Sequence, residues 1–322
     1  MYKLVIQGGI PLSGSIKTSG SKNATLPIFF ASILADSPLK LANTPQLSDV
    51  STTLRLLMEM GSNFVLEENG SIFIDSSTLN NLTADYSLVK TMRASILTLG
   101  PMLAKYKKAK ISLPGGCAIG TRPVNLHLDA LEKMGAKIEV KNGYIHASAK
   151  ELVGTQINFD LVSVTATENI LMAATLAKGI TTINNAAQEP EVTDLIYCLN
   201  KMGAKITGEN TSTLIIEGVD HLNGTDYCIC PDRIEAGTYL VAAAITGGSI
   251  TVNDIEPDSM RSVIGKLIET GADLQTNNNS IKLDMKGRRP QAVNIRTSAY
   301  PNFPTDMQAQ FMALNSIAEG SS

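Results

Sequence analysis

Residues 131–147 read Leu131-Glu132-Lys133-Met134-Gly135-Ala136-Lys137-Ile138-Glu139-Val140-Lys141-Asn142-Gly143-Tyr144-Ile145-His146-Ala147, and the same phrase occurs at three other places. Its counterparts are LLMEMGSNFVLEENGSIFI from residue 56, LNKMGAKITGENTSTLIIEG from residue 199 and LIETGADLQTNNNSIKLDM from residue 267. The shared glycines Gly61, Gly135, Gly203 and Gly271 stand 74, 68 and 68 residues apart, a spacing that marks internal repetition. Each copy has one physical reading. Leucine and methionine at helical spacing close an amphipathic helix, glycine stops it, and alternating apolar residues follow as two strands around a polar turn.

Upstream of each phrase lies a more apolar helix, at Ala24–Leu34, Ala94–Leu103, Ala166–Ala177 and Ala236–Ile245. A strand follows each, at Ser37–Leu41, Ala109–Leu113, Ile180–Asn184 and Ser249–Val252. The unit is therefore an apolar helix, a strand, an amphipathic helix and a strand pair, about 70 residues long. A helix that is apolar all round must be buried on most sides, so these helices are expected inside, behind an outer layer of sheet and amphipathic helix. A fifth such helix begins at Asp306 and runs toward Ala318.

The bulk numbers remove several function classes. With 322 residues, the length prior is two domains. Lys plus Arg number 27 against 30 Asp plus Glu, so no global positive field recruits nucleic acid or an anionic membrane, and neither partner is expected. The apolar runs at Leu26–Ala35 and Tyr239–Ile245 are too short to span a bilayer. The opening residues lack an apolar signal region, which points to a cytoplasmic protein. Four cysteines without a secretory context are expected as free thiols. Cys228 and Cys230, with only His221 nearby, lack zinc-ligand spacing and read as buried strand residues, and Cys198 reads as helix core. His127 and His146 read as structural; no metal site is predicted.

Chemistry concentrates in Pro114-Gly115-Gly116-Cys117-Ala118-Ile119-Gly120-Thr121-Arg122-Pro123, where glycines surround a thiol and a guanidinium follows. Two readings stay open: a reactive loop in which a nearby cation tunes Cys117, or a surface turn whose cysteine is incidental. Cations also stand in the first turns of apolar helices, at Lys22, Arg93 and Arg233. The positive end of the helix dipole disfavours them there, so they are either solvated bystanders or parts of a polyanion site. Thr305-Asp306 at the fifth helix is equally a cap or a general base.

The segments PGGCAIGTRPVNLH, SGSKNA, TMRASILTLGP, PDRIEAGTYLVAAA and FPTDMQAQFMALN together resemble the UDP-N-acetylglucosamine 1-carboxyvinyltransferase family, bacterial enolpyruvyl transferases that begin peptidoglycan precursor synthesis. The likeness extends over essentially the whole chain. The 3-phosphoshikimate branch shares the repeats but not the cysteine loop, and is an alternative reading. What the resemblance implies is a two-domain, inside-out α/β barrel of βαβαββ units, three per domain. The first domain would be residues 20–229, and the second would be 1–19 plus 230–322. Six units would need about 420 residues, so the second domain is expected to be incomplete, with one repeat and the start of another. On that basis a further alternative is a non-catalytic form that only binds UDP-N-acetylglucosamine.

By the same resemblance the substrates are phosphoenolpyruvate and UDP-N-acetylglucosamine, with no cofactor and no metal, in a protein that is a monomer when complete. Cys117 corresponds to the thiol that protonates the phosphoenolpyruvate methylene and that fosfomycin alkylates, on a loop that closes when the sugar nucleotide binds. Lys22 and Arg122 correspond to cations that hold phosphoenolpyruvate, with Asn23 and Arg93 lining the same cleft. Asp306 corresponds to the acid that takes the sugar hydroxyl proton. Arg93, Arg122, Pro123, Val124, Asn125 and Leu126, with Ser163, Val164 and Thr165, correspond to nucleotide-sugar binding positions. Asn125 stands where the family usually has aspartate, and Thr165 where glycine is common.

Overall fold

A computed structural model describes residues 3–84, 86–89, 92–113 and 124–322. The chain divides into two compact units, one of residues 20–230 and one of residues 1–19 with 231–322. In chain order the first repeat carries β1 (Ser13–Lys17), α1 (Lys22–Ala31), β2 (Leu39–Ala42), α2 (Ser48–Glu59), β3 (Asn63–Leu66) and β4 (Ile72–Asp75). The second carries β5 (Thr83–Ala84), α3 (Tyr86–Val89), a 3-10 turn (Arg93–Thr98) running into α4 (Leu99–Tyr106), β6 (Lys108–Ser112), α5 (Asn125–Lys133), β7 (Lys137–Lys141) and β8 (Tyr144–Ser148). The third carries β9 (Gln156–Asn158), α6 (Val164–Ala174), β10 (Ile180–Asn184), α7 (Pro190–Lys201), β11 (Lys205–Thr207) and β12 (Thr213–Glu217). The fourth carries β13 (Asp226–Cys228), α8 (Arg233–Ile245), β14 (Ser249–Asn253), α9 (Arg261–Glu269), β15 (Asp273–Asn277) and β16 (Ser280–Asp284). A 3-10 turn (Thr305–Met307) then leads into α10 (Gln308–Ile317).

The repeats fold alike because each has the same alternation of apolar positions. In the second sheet Ala109 faces Ala147 and Ile111 faces Ile145; in the third Ile183 faces Leu214 and Thr181 faces Ile216. All these residues are buried, while their strand neighbours are largely solvated, so each sheet has one wet face. Against the dry faces of the 20–230 unit pack the apolar helices, in which Ile28, Phe29, Phe30, Leu103, Ile170 and Leu171 are fully enclosed. Each such side chain contributes about 1.5–3 kcal/mol of transfer free energy. The second unit has its own core around Leu240, Val241, Leu267, Leu283 and Phe311. The repeat glycines take φ of +102° (Gly61), +98° (Gly135), +109° (Gly203) and +89° (Gly271), the left-handed stop that the sequence pattern predicts.

One strand per sheet escapes the residue pattern. Each sheet has four strands, in the orders β13-β2-β4-β3, β5-β6-β8-β7, β9-β10-β12-β11 and β1-β14-β16-β15. The additional edge strand runs parallel to its neighbour. Repeats two and three use their own preceding strands, β5 and β9. The first and fourth exchange theirs: β13 joins β2, with Asp226 opposite Lys40, and β1 joins β14, with Ser13 opposite Ser249. The exchange also corrects the reading of the CxC pair. Cys228 ends an edge strand and is exposed, and Cys230 is half-buried, whereas Cys198 is enclosed in α7. No helix among the described residues is long and apolar enough to cross a membrane.

Candidate active site

Helix α1 opens with Ser21 as N-cap, its hydroxyl accepting from the Ala24 amide at 3.4 Å, so Lys22 and Asn23 fill the first turn, which contains no acidic residue. The Lys22 ammonium meets the Asp49 carboxylate at 3.1 Å, and both side chains are more than a third exposed. Asp49 itself lies in the first turn of α2, where a carboxylate is favoured, and steers Lys22 from there. Such an exposed pair adds little to stability, about 0–1 kcal/mol, but it restricts where the cation points. Sequence reading overlooked Asp49 because an acid at a helix start has an ordinary explanation.

Arg93 opens the 3-10 turn before α4, and that turn likewise begins without an acid. Ser163 caps α6, accepting from the Ala166 amide at 3.3 Å, with Val164 and Thr165 as its first two residues. Val124 occupies the cap position of α5, followed by exposed Asn125 and half-buried Leu126. The α5 and α6 stretches meet through His127, whose Nε2 lies 3.4 Å from the Thr165 hydroxyl. Cys117, Arg122 and Pro123 lie outside the described residues.

Behind this meeting point is a polar core that the sequence did not announce. His127 is only 3% exposed, and burial holds its pKa down to about 4. The Asn169 amide nitrogen lies 2.9 Å from His127 Nδ1 and also donates to the Ile96 carbonyl at 3.1 Å. The Asn169 carbonyl oxygen accepts from the Gly100 amide at 2.7 Å. Next to it Glu168 is 2% exposed. Burial, reinforced by the neighbouring carboxyls of Glu191 and Glu189, raises its pKa well above the ordinary carboxylate range. Asp194 is also buried, accepting from the Tyr227 hydroxyl at 2.7 Å and the Cys230 amide at 3.2 Å.

In the second unit Asp232 caps α8, accepting from the Ile234 and Glu235 amides at 2.9 and 3.1 Å. Arg233 follows it, buried, with its guanidinium 5.5 Å from the centre of the Tyr300 ring. Asp306 is exposed in the 3-10 turn before α10, where the cap position is Pro304. Lys22 and Asp306 thus belong to different units. Among the described residues no three His, Cys, Asp or Glu side chains converge as metal ligands would.

Repeated sheets over apolar helices, with cations at helix starts, are the architecture of an enolpyruvyl transferase. Residues 6–322 match the family model described as EPSP synthase (3-phosphoshikimate 1-carboxyvinyltransferase). The fold is close to that of the enolpyruvyl transferase NikO from Streptomyces tendae, with a TM-score of 0.85 at 20% identity over 98% of this chain and 75% of that one. It is also close to EPSP synthase from Acinetobacter baumannii, with a TM-score of 0.71 at 20% identity over 90% of this chain and 68% of that one.

Among curated proteins, the UDP-N-acetylglucosamine 1-carboxyvinyltransferase of Ruthia magnifica subsp. Calyptogena magnifica is 72% identical over 99% of this chain and 76% of its own length. The protein of the same description from Hydrogenovibrio crunogenus is 55% identical over 99% of this chain and 77% of its own length. The chain belongs to the UDP-N-acetylglucosamine 1-carboxyvinyltransferase family of enolpyruvyl transferases.

Proposed function

We propose that this protein transfers the enolpyruvyl group of phosphoenolpyruvate to the 3-hydroxyl of UDP-N-acetylglucosamine with release of phosphate, in the cytoplasm, as the first committed step of peptidoglycan precursor synthesis. The observation that carries the reading is that Lys22 and Asn23, in a chain of this family, open α1 with no acidic residue in the turn. Phosphoenolpyruvate presents a carboxylate and a phosphate, and fixed cations at a helix start stabilise both, together with the charge that grows as phosphate leaves. Lys22 and Arg122 are the cations in this reading, with Asn23 and Arg93 beside them. Val124, Asn125, Leu126, Ser163, Val164 and Thr165, with Arg93, Arg122 and Pro123, take the sugar nucleotide.

The sugar oxygen adds to C2 of phosphoenolpyruvate as Asp306 takes its proton and the Cys117 thiol delivers one to C3. The C2–O bond to phosphate then breaks as the Cys117 thiolate takes a proton back from C3, which restores both the thiol and the enol ether double bond. Arg122 and Lys22 hold the departing phosphate.

Assayed with both substrates, the protein is expected to release one phosphate per enolpyruvyl group transferred and to lose that activity with fosfomycin, through alkylation of Cys117; 3-phosphoshikimate as acceptor is expected to give none. Calorimetric binding of UDP-N-acetylglucosamine without phosphate release, by a chain extended to the length of its relatives, reduces the function to binding. Absence of both defeats the reading.

A further inference from the structure

The orientation of one buried amide decides which way a hydroxyl in the sugar-nucleotide stretch donates. Asn169 is fixed by two backbone groups of unambiguous polarity: the Gly100 N–H can only donate, so it faces the Asn169 Oδ1 at 2.7 Å, and the Ile96 carbonyl can only accept, so it faces Nδ2 at 3.1 Å. The second Nδ2 proton then points at His127 Nδ1, 2.9 Å away. An amide nitrogen has only protons to offer, so Nδ1 must be the unprotonated acceptor and Nε2 must carry the ring proton. A cationic ring would set two N–H groups against each other, and burial acts in the same direction by disfavouring the charge.

Nε2 in turn faces the Thr165 hydroxyl at 3.4 Å, so Thr165 Oγ1 is the acceptor there. Its own proton is left over, and among the described residues no acceptor for it is present.

We propose that His127 and Asn169 are positioning residues that turn the proton of the Thr165 hydroxyl away from the protein, making Thr165 a specificity-determining donor to an acceptor oxygen of the sugar nucleotide. This rests on the assignment of Ser163–Thr165 to that substrate. A glycine at 165 has no such donor, so the contact is particular to chains with a hydroxyl there. UDP-N-acetylglucosamine is rich in phosphate and carbonyl oxygens, which only accept.

The test has two independent arms. Nitrogen-15 spectra of the ligand-free protein at pH 7 are expected to show His127 neutral with the proton on Nε2. In Asn169→Asp, whose carboxylate offers His127 only acceptors, the proton is expected to move to Nδ1. Kinetically, Thr165→Val is expected to raise KM for UDP-N-acetylglucosamine about tenfold, with kcat and KM for phosphoenolpyruvate within about twofold, and Thr165→Ser to restore it. A ring proton on Nδ1, a cationic His127, or an unchanged KM in Thr165→Val overturns the proposal. If the protein binds no UDP-N-acetylglucosamine, the functional assignment fails and the donor role falls with it, while the spectra still decide the tautomer. Should Asn169→Asp not fold, the wild-type spectrum and Thr165→Val suffice.

Discussion

His127 ties chemistry to stability through one ring. In the folded protein it stays neutral down to about pH 4, whereas in the unfolded chain it takes a proton near its ordinary value of 6.5. Between these values the unfolded state binds more protons, so the stability attributable to this residue is complete above pH 6.5 and is lost as the pH falls toward 4. The total is at most about 3 kcal/mol. Urea titrations at pH 7 and pH 4.5 are expected to show that His127→Gln removes this part of the acid sensitivity; an unchanged difference between the two pH values refutes it. Glu168 contributes with the opposite sign, since its raised pKa makes folding less favourable as the pH rises past the ordinary carboxylate value, which is why single-residue comparisons are needed.

Some site residues carry a local signature in the sequence: Cys117 among glycines, Lys22 and Arg93 where the helix dipole disfavours a cation, Asp306 beside a helix start. Asn23, the stretch from Arg122 to Leu126 and Ser163 to Thr165 came from the family resemblance. Asp49, Asn169 and the tautomer of His127 have no such signature. Their roles depend on Lys22, Gly100 and Ile96, which the fold brings to them from 27, 69 and 73 positions away.

At the scale of elements, the helices and hairpins were readable because their periodicity is strong and glycine marks every stop. The expected helix at Ala166–Ala177 and strand at Ile180–Asn184 correspond to α6 and β10. Three of the four edge strands were not readable from the residues because they are short: β5 has two residues, and β9 and β13 have three each, too few for alternation to register. The resemblance to βαβαββ units supplied what periodicity omitted. The 3-10 turn from Arg93 to Thr98, where a continuous helix was expected from Ala94, is a further difference. It leads α4 into α6 at a very close approach: a Cβ on Gly100 would lie 2.3 Å from the backbone carbonyl oxygen of Asn169. Since that oxygen belongs to the α6 backbone and cannot swing aside, Gly100→Ala is expected to cost about 2 kcal/mol or more of stability. Chemical denaturation measures it, and a neutral result removes the claim that these helices are locked together there.

For the whole molecule, the exchanged strands decide what is separable. Residues 20–230 hold three complete four-stranded sheets and a core of their own, because β13 lies within that stretch. Expressed alone, this segment is expected to melt in a single cooperative transition with native-like circular dichroism. Residues 231–322 without 1–19 lose β1 and expose the β14 edge, and they are expected to self-associate. A molten 20–230 segment contradicts the first expectation, and a monodisperse, monomeric 231–322 segment the second.

The pairing of Ser13 with Ser249 also sets an order of events on the ribosome. At about 5–20 residues per second, β1 leaves the exit tunnel roughly ten to fifty seconds before β14 exists to receive it. β1 thus waits for a strand made more than two hundred residues later, while the stretch made in between already has every strand it needs. A nascent chain stalled before residue 249 would present β1 as a protease-sensitive leader on an otherwise protected body.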